Sequence, residues 1–132
     1  MTEAGADWNW IGEAVALAAH DALMAAFGGL AGLRDINAMR SALARPRNLV
    51  AHGSPDAAAL ASAYAWGLLR DHPFSDGNKR TGYTLALVFL LDNGFVFTGA
   101  DIESVETMLA VAEGSMREED LAAWFRARIL PV

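Results

Sequence analysis

A chain of 132 residues with 16 acidic and 10 basic side chains and no cysteine excludes several classes at once. It is long enough to bury one core without staples, it offers no thiolate for a disulfide or zinc, and its net charge of -6 disfavours nucleic acid, which needs clustered cations. No apolar run approaches the ~20 residues of a membrane span, and Met1–Asp7 lacks the basic and apolar segments of a secretory signal. The expectation is a single domain over 1–132 that is soluble and cytoplasmic.

Helical signals recur along the chain, with little strand alternation. The first helix is expected from Trp10 to Phe27, with Ile11, Val15, Ala18 and Ala22 on its buried face and Gly28-Gly29 as its stop. Asp35 reads as the N-cap of a short second helix carrying Ile36, Met39 and Leu43, which Arg45-Pro46 should end. Arg47 to Gly53 then reads as irregular. Ser54-Pro55-Asp56 supplies a capping hydroxyl, a proline at the first helical position and an early acid for a third helix reaching Asp71. A fourth is expected from Asn78 to a left-handed end at Asn93-Gly94, followed by an extended Phe95-Val96-Phe97. A fifth fits Ile102 to Glu113, ended by Gly114. Ser115 with Glu118 reads as a capping box for a last helix through Trp124, closed by Pro131. The third and fourth are apolar on nearly every face, so they should form the central pair of an all-α bundle of about six helices.

Between those two helices lies His-Pro-Phe-Ser-Asp-Gly-Asn-Lys-Arg-Thr, residues 72–81, directly before the apolar run Leu85–Leu91. About six specified positions at usages near 5% give such a pattern by chance on the order of 10⁻⁸ per start point. Each residue has a chemistry. His72 alone has an ordinary pKa near neutrality, which suits a general base. Asp76 offers a hard oxygen ligand, and one carboxylate plus substrate phosphates commonly holds Mg²⁺. Gly77 permits a tight turn and close approach to an anion. The amides from Asn78 onward open a helix, where free N–H groups favour phosphate, and Lys79 and Arg80 add formal charge. Two cations at a helix N-terminus oppose its dipole unless an anion joins them. Base, metal ligand, anion nest and cations together make a phosphoryl- or nucleotidyl-transfer site.

This motif resembles the signature loop of the Fic/Doc family, and its lysine form resembles the Doc branch. Phe27-Gly28-Gly29, Gly32-Leu33-Arg34-Asp35, Ser41–Pro46, Asn93-Gly94 and the helix of Trp124 extend the likeness over nearly the whole chain from Trp10. The resemblance implies the Fic fold, with the motif loop at the head of a central buried helix and a small flap. It implies ATP and Mg²⁺ as cofactors, His72 as the catalytic residue, Asp76 as the metal ligand and Gly77, Asn78, Lys79 and Arg80 as phosphate ligands. Asn48, Leu49, Val50 and His52 would belong to the flap that docks the target as an added strand. The AMP-transferring branch has glycine in place of Lys79 and a second arginine in place of Tyr83. With both changed, ATP would bind reversed and present its γ-phosphate. The implied activity is a protein kinase toxin acting on a Ser/Thr hydroxyl of elongation factor Tu and stopping translation. AMP transfer, with Arg34 or Arg45 as the second cation, and a non-catalytic binding module are the alternatives. The family's inhibitory Ser/Thr-x-x-x-Glu-Gly/Asn helix has no clean copy here, which implies inhibition in trans by a Phd-type antitoxin.

Outside the motif, His20 reads as a helix-face histidine with a structural hydrogen bond, and His52 needs no special role. Arg34 reads as a tether to a neighbouring carbonyl or acid. Trp8, Trp10, Trp66 and Trp124 read mainly as packing residues, with Trp8 and Trp10 beside a weakly structured Met1–Asp7 as a possible partner surface.

Overall fold

The computed structural model describes residues 8–132, so the expectation for Met1–Asp7 lies outside the described residues. Among the described residues, six helices run in the order α1 (Glu13–Phe27), α2 (Ile36–Ala51), α3 (Ala57–Asp71), α4 (Asn78–Asp92), α5 (Asp101–Glu113) and α6 (Glu118–Arg126). A two-stranded antiparallel pair, β1 (Phe95–Phe97) and β2 (Ile129–Pro131), joins Phe95 to Pro131 and Phe97 to Ile129. The all-α expectation holds, and α3 and α4 are its centre. Leu60, Tyr64, Leu68, Leu69, Leu85, Phe89 and Leu90 are fully buried there. Gly82 lets these two helices meet: a Cβ on it would stand 2.4 Å from Leu69 Cδ1 and 3.2 Å from the Ala65 carbonyl oxygen. None of the described helices is long and apolar enough to cross a membrane.

Helix ends show where local chemistry decides. Asp35 caps α2, its carboxylate accepting from the amides of Asn37 and Ala38. Gly94 and Gly114 take left-handed conformations after α4 and α5. The α3 cap is Asp56 rather than Ser54: Asp56 Oδ1 accepts from the Ala59 amide at 2.9 Å, so Pro55 lies before the helix. The Ser115–Glu118 capping box does not form. Ser115 Oγ donates back to the Ala110 carbonyl at 3.1 Å, and Arg45 holds the Glu118 carboxylate. Helix α6 starts after Arg117 without a side-chain cap and relies on three first-turn acids against its dipole.

The same Asp56 accepts two bonds from the Arg126 guanidinium, at 2.6 and 2.9 Å. That ion pair, helped by the Ala59 amide, holds its carboxyl below the ordinary value of 3.8. Stability from this group is therefore present above about pH 4 and lost as pH falls through the depressed folded value. Asp56→Asn keeps the cap and loses the half-exposed ion pair, so at pH 7 it is expected to cost under about 1 kcal/mol. In urea titrations the gap to the parent protein should close as pH drops below about 4.

Three further expectations fail for identifiable reasons. The buried stripe of α1 is Ala16, His20 and Met24, whereas Val15, Ala18 and Ala22 are exposed. Ile11 precedes the helix and enters the core on its own, its amide bonded to Tyr64 Oη at 3.0 Å, so counting helical phase from it rotates the face. Pro46 does not end α2, which continues to Ala51. A mid-helix proline costs about 3 kcal/mol, offset here by tertiary ties on both sides. Pro46 is buried, Arg45 pairs with Glu118 and lies 4.6 Å over Trp66, and Arg47 lies 5.2 Å over Trp10. Pro131 closes no helix but ends β2, a strand too short for alternation to announce. The tryptophan expectation holds: Trp8 and Trp10 pack on Phe89 at 5.8 and 6.1 Å.

Candidate active site

The motif forms the turn from α3 into α4. His72 caps α3 in the left-handed region at φ 49°, the one non-glycine residue with positive φ among those described. Such a conformation costs a side-chain-bearing residue on the order of 1 kcal/mol and persists only where surroundings enforce it. The segment before α2 does the enforcing. Arg34 Nε donates to the His72 carbonyl at 2.8 Å and its Nη2 to the Asp71 carbonyl at 3.1 Å. The amides of Arg34 and Asp35 both donate to the Pro73 carbonyl, and Leu33 bridges Phe74. Phe74 is 1% exposed and anchors the loop in the core.

Asn78 faces inward. Its Oδ1 accepts from the Phe74 amide at 3.0 Å and its Nδ2 donates to the Phe74 carbonyl at 2.9 Å. The side chain is thus engaged in holding the loop, which leaves the Asn78 backbone amide for an anion. Asp76 is exposed, and its carboxylate accepts from the Leu30 amide at 3.1 Å and the Gly77 amide at 2.8 Å. These two amides, Leu30 first, keep its pKa below the usual carboxylate range, so it is ionised at neutral pH. Gly77 sits at φ 76°, where any other residue is strained, and a Cβ there would also push aside Met24 Cε, 2.3 Å away.

A cleft of about 660 Å³ opens beside this turn, between α1, the start of α4, and α5. Asp76, Gly77, Asn78, Lys79 and Arg80 line its polar end. Leu23, Phe27, Val105, Met108 and Leu109 form apolar walls, a combination and size suited to a small ligand with an anionic end. Lys79 and Arg80 are exposed and make no ion pair among the described residues, and the Arg80 guanidinium lies 4.5 Å over the Phe27 ring. Tyr83 lines the same wall, its Oη 3.2 Å from Ser104 Oγ. Among the described residues, no group of three His, Asp or Glu side chains could cage a metal. One ionised, amide-braced carboxylate fits an ion that takes its remaining ligands from phosphate and water, as Mg²⁺ does.

The structure therefore gathers five of the predicted site residues on one cleft. His72 stands at the other end of the loop, exposed and outside the cleft lining. The supposed flap is a correction. Asn48, Leu49 and Val50 are helical residues of α2, and His52 caps that helix, its Nδ1 2.8 Å from the Asn48 carbonyl. Leu49 lines a small pocket together with Ala59 from the first turn of α3, and His72 ends that helix. At 1.5 Å per residue this is roughly 20 Å from His72, with no strand edge to extend. Pro46 was the misleading signal.

Sequence reasoning missed the cleft role of Met24 and Phe27, the Leu30 amide, and the apolar wall from α5. The stripe 16, 20, 24 at steps of four could have located α1 against the motif; the Leu30 amide has no side-chain signature at all.

The Fic/DOC family model matches residues 10–90 of this chain. The chain is 32% identical over 102 residues to "Protein kinase doc" of Escherichia phage P1, which covers 76% of this chain and 81% of that protein. It is 36% identical over 98 residues to "Toxin Doc" of Mycolicibacterium smegmatis (strain ATCC 700084 / mc(2)155), covering 73% of this chain and 75% of that protein.

Proposed function

Because this chain belongs to the Fic/DOC family as a Doc-type protein, we propose that it is a Doc-like toxin that phosphorylates a Ser/Thr hydroxyl with Mg²⁺ and ATP. The observation that carries this reading is the polar end of the cleft, where an ionised Asp76, the α4 N-terminus and the cations Lys79 and Arg80 converge. The triphosphate lies along Gly77 to Arg80, with the amides of α4 and the Lys79 and Arg80 charges facing its oxygens. Mg²⁺ held by Asp76 would neutralise charge on those oxygens. His72 takes the proton from the target hydroxyl as its oxygen bonds to the γ-phosphorus. The bond from the γ-phosphorus to the bridging oxygen breaks, and ADP leaves with charge spread over the cations and amides.

A specific observation favours γ- over α-phosphate attack. Among the described residues, Lys79 and Arg80 are the only cationic side chains lining the cleft. Arg34 is occupied by the Asp71 and His72 carbonyls, and Arg45 by Glu118 and Trp66. Neither supplies the second cation that AMP transfer needs, and Tyr83 fills that place with a hydroxyl bonded to Ser104. The target in this reading is elongation factor Tu in the bacterial cytoplasm, and the toxin is restrained by a Phd-type antitoxin. The exposed apolar side chains Val105 and Leu109 of the cleft wall, with exposed Ile102 earlier on α5, suit an amphipathic segment from such a partner.

Paired labelling tests this. Purified protein, Mg²⁺ and bacterial lysate receive ATP labelled at the γ- or the α-phosphate. Label from γ alone on a band the size of elongation factor Tu is expected; label from α would replace the kinase by an AMP transferase.

A further inference from the structure

His20 is a buried imidazole in a helix that otherwise buries Ala16 and Met24 on the same stripe. It is 1% exposed, and burying a polar ring is costly unless it is bonded. Its Nε2 lies 2.8 Å from the backbone carbonyl oxygen of Asp76. A carbonyl can only accept, so Nε2 carries the proton, and the partner fixes the tautomer. The ring also stacks on Phe74 with centroids 3.8 Å apart and planes 4° from parallel. One side chain from α1 therefore grips the loop on both sides of Ser75.

We propose that His20 is the positioning residue of the metal and phosphate site: its Nε2–H fixes the Asp76 backbone so that the Asp76 carboxylate is presented to the cleft. The proposal rests on the nucleotide-transfer reading above. The carboxylate takes amide bonds from Leu30 and Gly77 on its two oxygens, and the second ties it to the N–H end of the peptide that follows Asp76. The bond from His20 holds the carbonyl end of that same peptide and anchors it to α1, outside the loop. Losing the donor frees the peptide plane to rotate, and with it the Gly77 amide that braces Oδ1. The bond is part-buried and Asp76 itself lies at the surface, so a freed carbonyl can turn to water and the loop loosens without the fold being lost. An outer partner of a metal ligand typically changes ion affinity by about 10- to 100-fold when removed.

Glutamine and methionine at position 20 separate this from plain packing. Both are unbranched and similar in length, both abolish the stack on Phe74, and only glutamine can donate to the carbonyl. In calorimetric titrations of ATP across Mg²⁺ concentrations, His20→Gln is expected to stay within about 3-fold of the parent, and His20→Met to weaken Mg²⁺-dependent ATP binding about 10-fold or more. In an Asp76→Asn background the two should be indistinguishable. Hydrogen exchange of the Gly77 amide in the ligand-free protein should quicken in His20→Met and not in His20→Gln. Equal affinities and equal exchange for both variants would overturn the proposal. So would nitrogen NMR of the unmodified protein showing the His20 proton on Nδ1 alone, a measurement that needs no variant to fold. If the unmodified protein binds no Mg-ATP, the nucleotide-transfer reading fails, and the exchange and tautomer results still decide whether His20 positions the loop.

Discussion

His72→Ala is expected to reduce label transfer by about 10²- to 10⁴-fold, the usual weight of a general base, while Mg-ATP binding stays nearly unchanged. Binding persists because the cleft lining does not include His72. A second substitution makes the expectation sharper. The residue sits at φ 49°, where glycine is at ease and alanine is not. His72→Gly should be as inactive as His72→Ala yet more stable than it by about 1 kcal/mol in urea unfolding. Function and backbone preference conflict at this position, as expected for a residue kept for its side chain. Transfer that survives both changes would remove His72 from the chemistry, whereas toxicity that survives the loss of transfer would point to a binding module. Equal stability of the two would mean that the αL strain is relieved elsewhere.

How much of this could be read from the chain varies with the range of the interaction. Elements decided by their own residues were legible: Asp35 as a cap, Gly94 and Gly114 as ends, and α3 and α4 as the buried pair, since an all-round apolar helix has nowhere else to go. Phe74 as a core anchor and Arg34 as a carbonyl tether also followed from residue type and position. What failed depended on distant partners. Pro46 stays helical because Glu118 and Trp66 hold its neighbour, and Ser115 forgoes its capping box for the end of α5. Pairing of β1 with β2 joins residues over thirty positions apart, and three-residue strands carry no periodic signal.

The site divides in the same way. The motif brings Asp76, Gly77, Lys79 and Arg80 to one cleft because they are neighbours in sequence around a single turn. The opposite walls come from α1 and α5, and no local pattern says that Phe27 or Met108 will face Arg80 or the α4 N-terminus. The misplaced flap has one local cause: a proline was taken as a helix stop, and the irregular segment after it was then given a docking role. Helical continuity through Pro46 moves Asn48–Val50 to the far end of α3.

Phe74→Ala is expected to be the most destabilising substitution in the motif, about 3–5 kcal/mol, the range for emptying a buried aromatic site. The ring is nearly inaccessible, stacks on His20 and belongs to the central apolar cluster, so little can collapse into the space. Its backbone is also held by both polar atoms of Asn78, which resist any inward movement of the loop. Urea titration at pH 7 should show a lower midpoint with an unchanged slope. Phe27→Ala gives the contrast. That ring is 66% exposed, so its loss should leave stability within about 1 kcal/mol. It carries the Arg80 guanidinium on its face, however, at 4.5 Å. A cation–π contact of that kind is worth about 0.5–1 kcal/mol at an exposed site, so ATP affinity should shift by no more than about 5-fold as Arg80 loses its platform. Stability falling with Phe74 and affinity shifting with Phe27 would separate the ring that holds the loop from the ring that orients its cation. If Phe27→Ala instead destabilised the protein as much as Phe74→Ala, the cleft wall would be part of the core, and the proposed opening for the nucleotide would not exist.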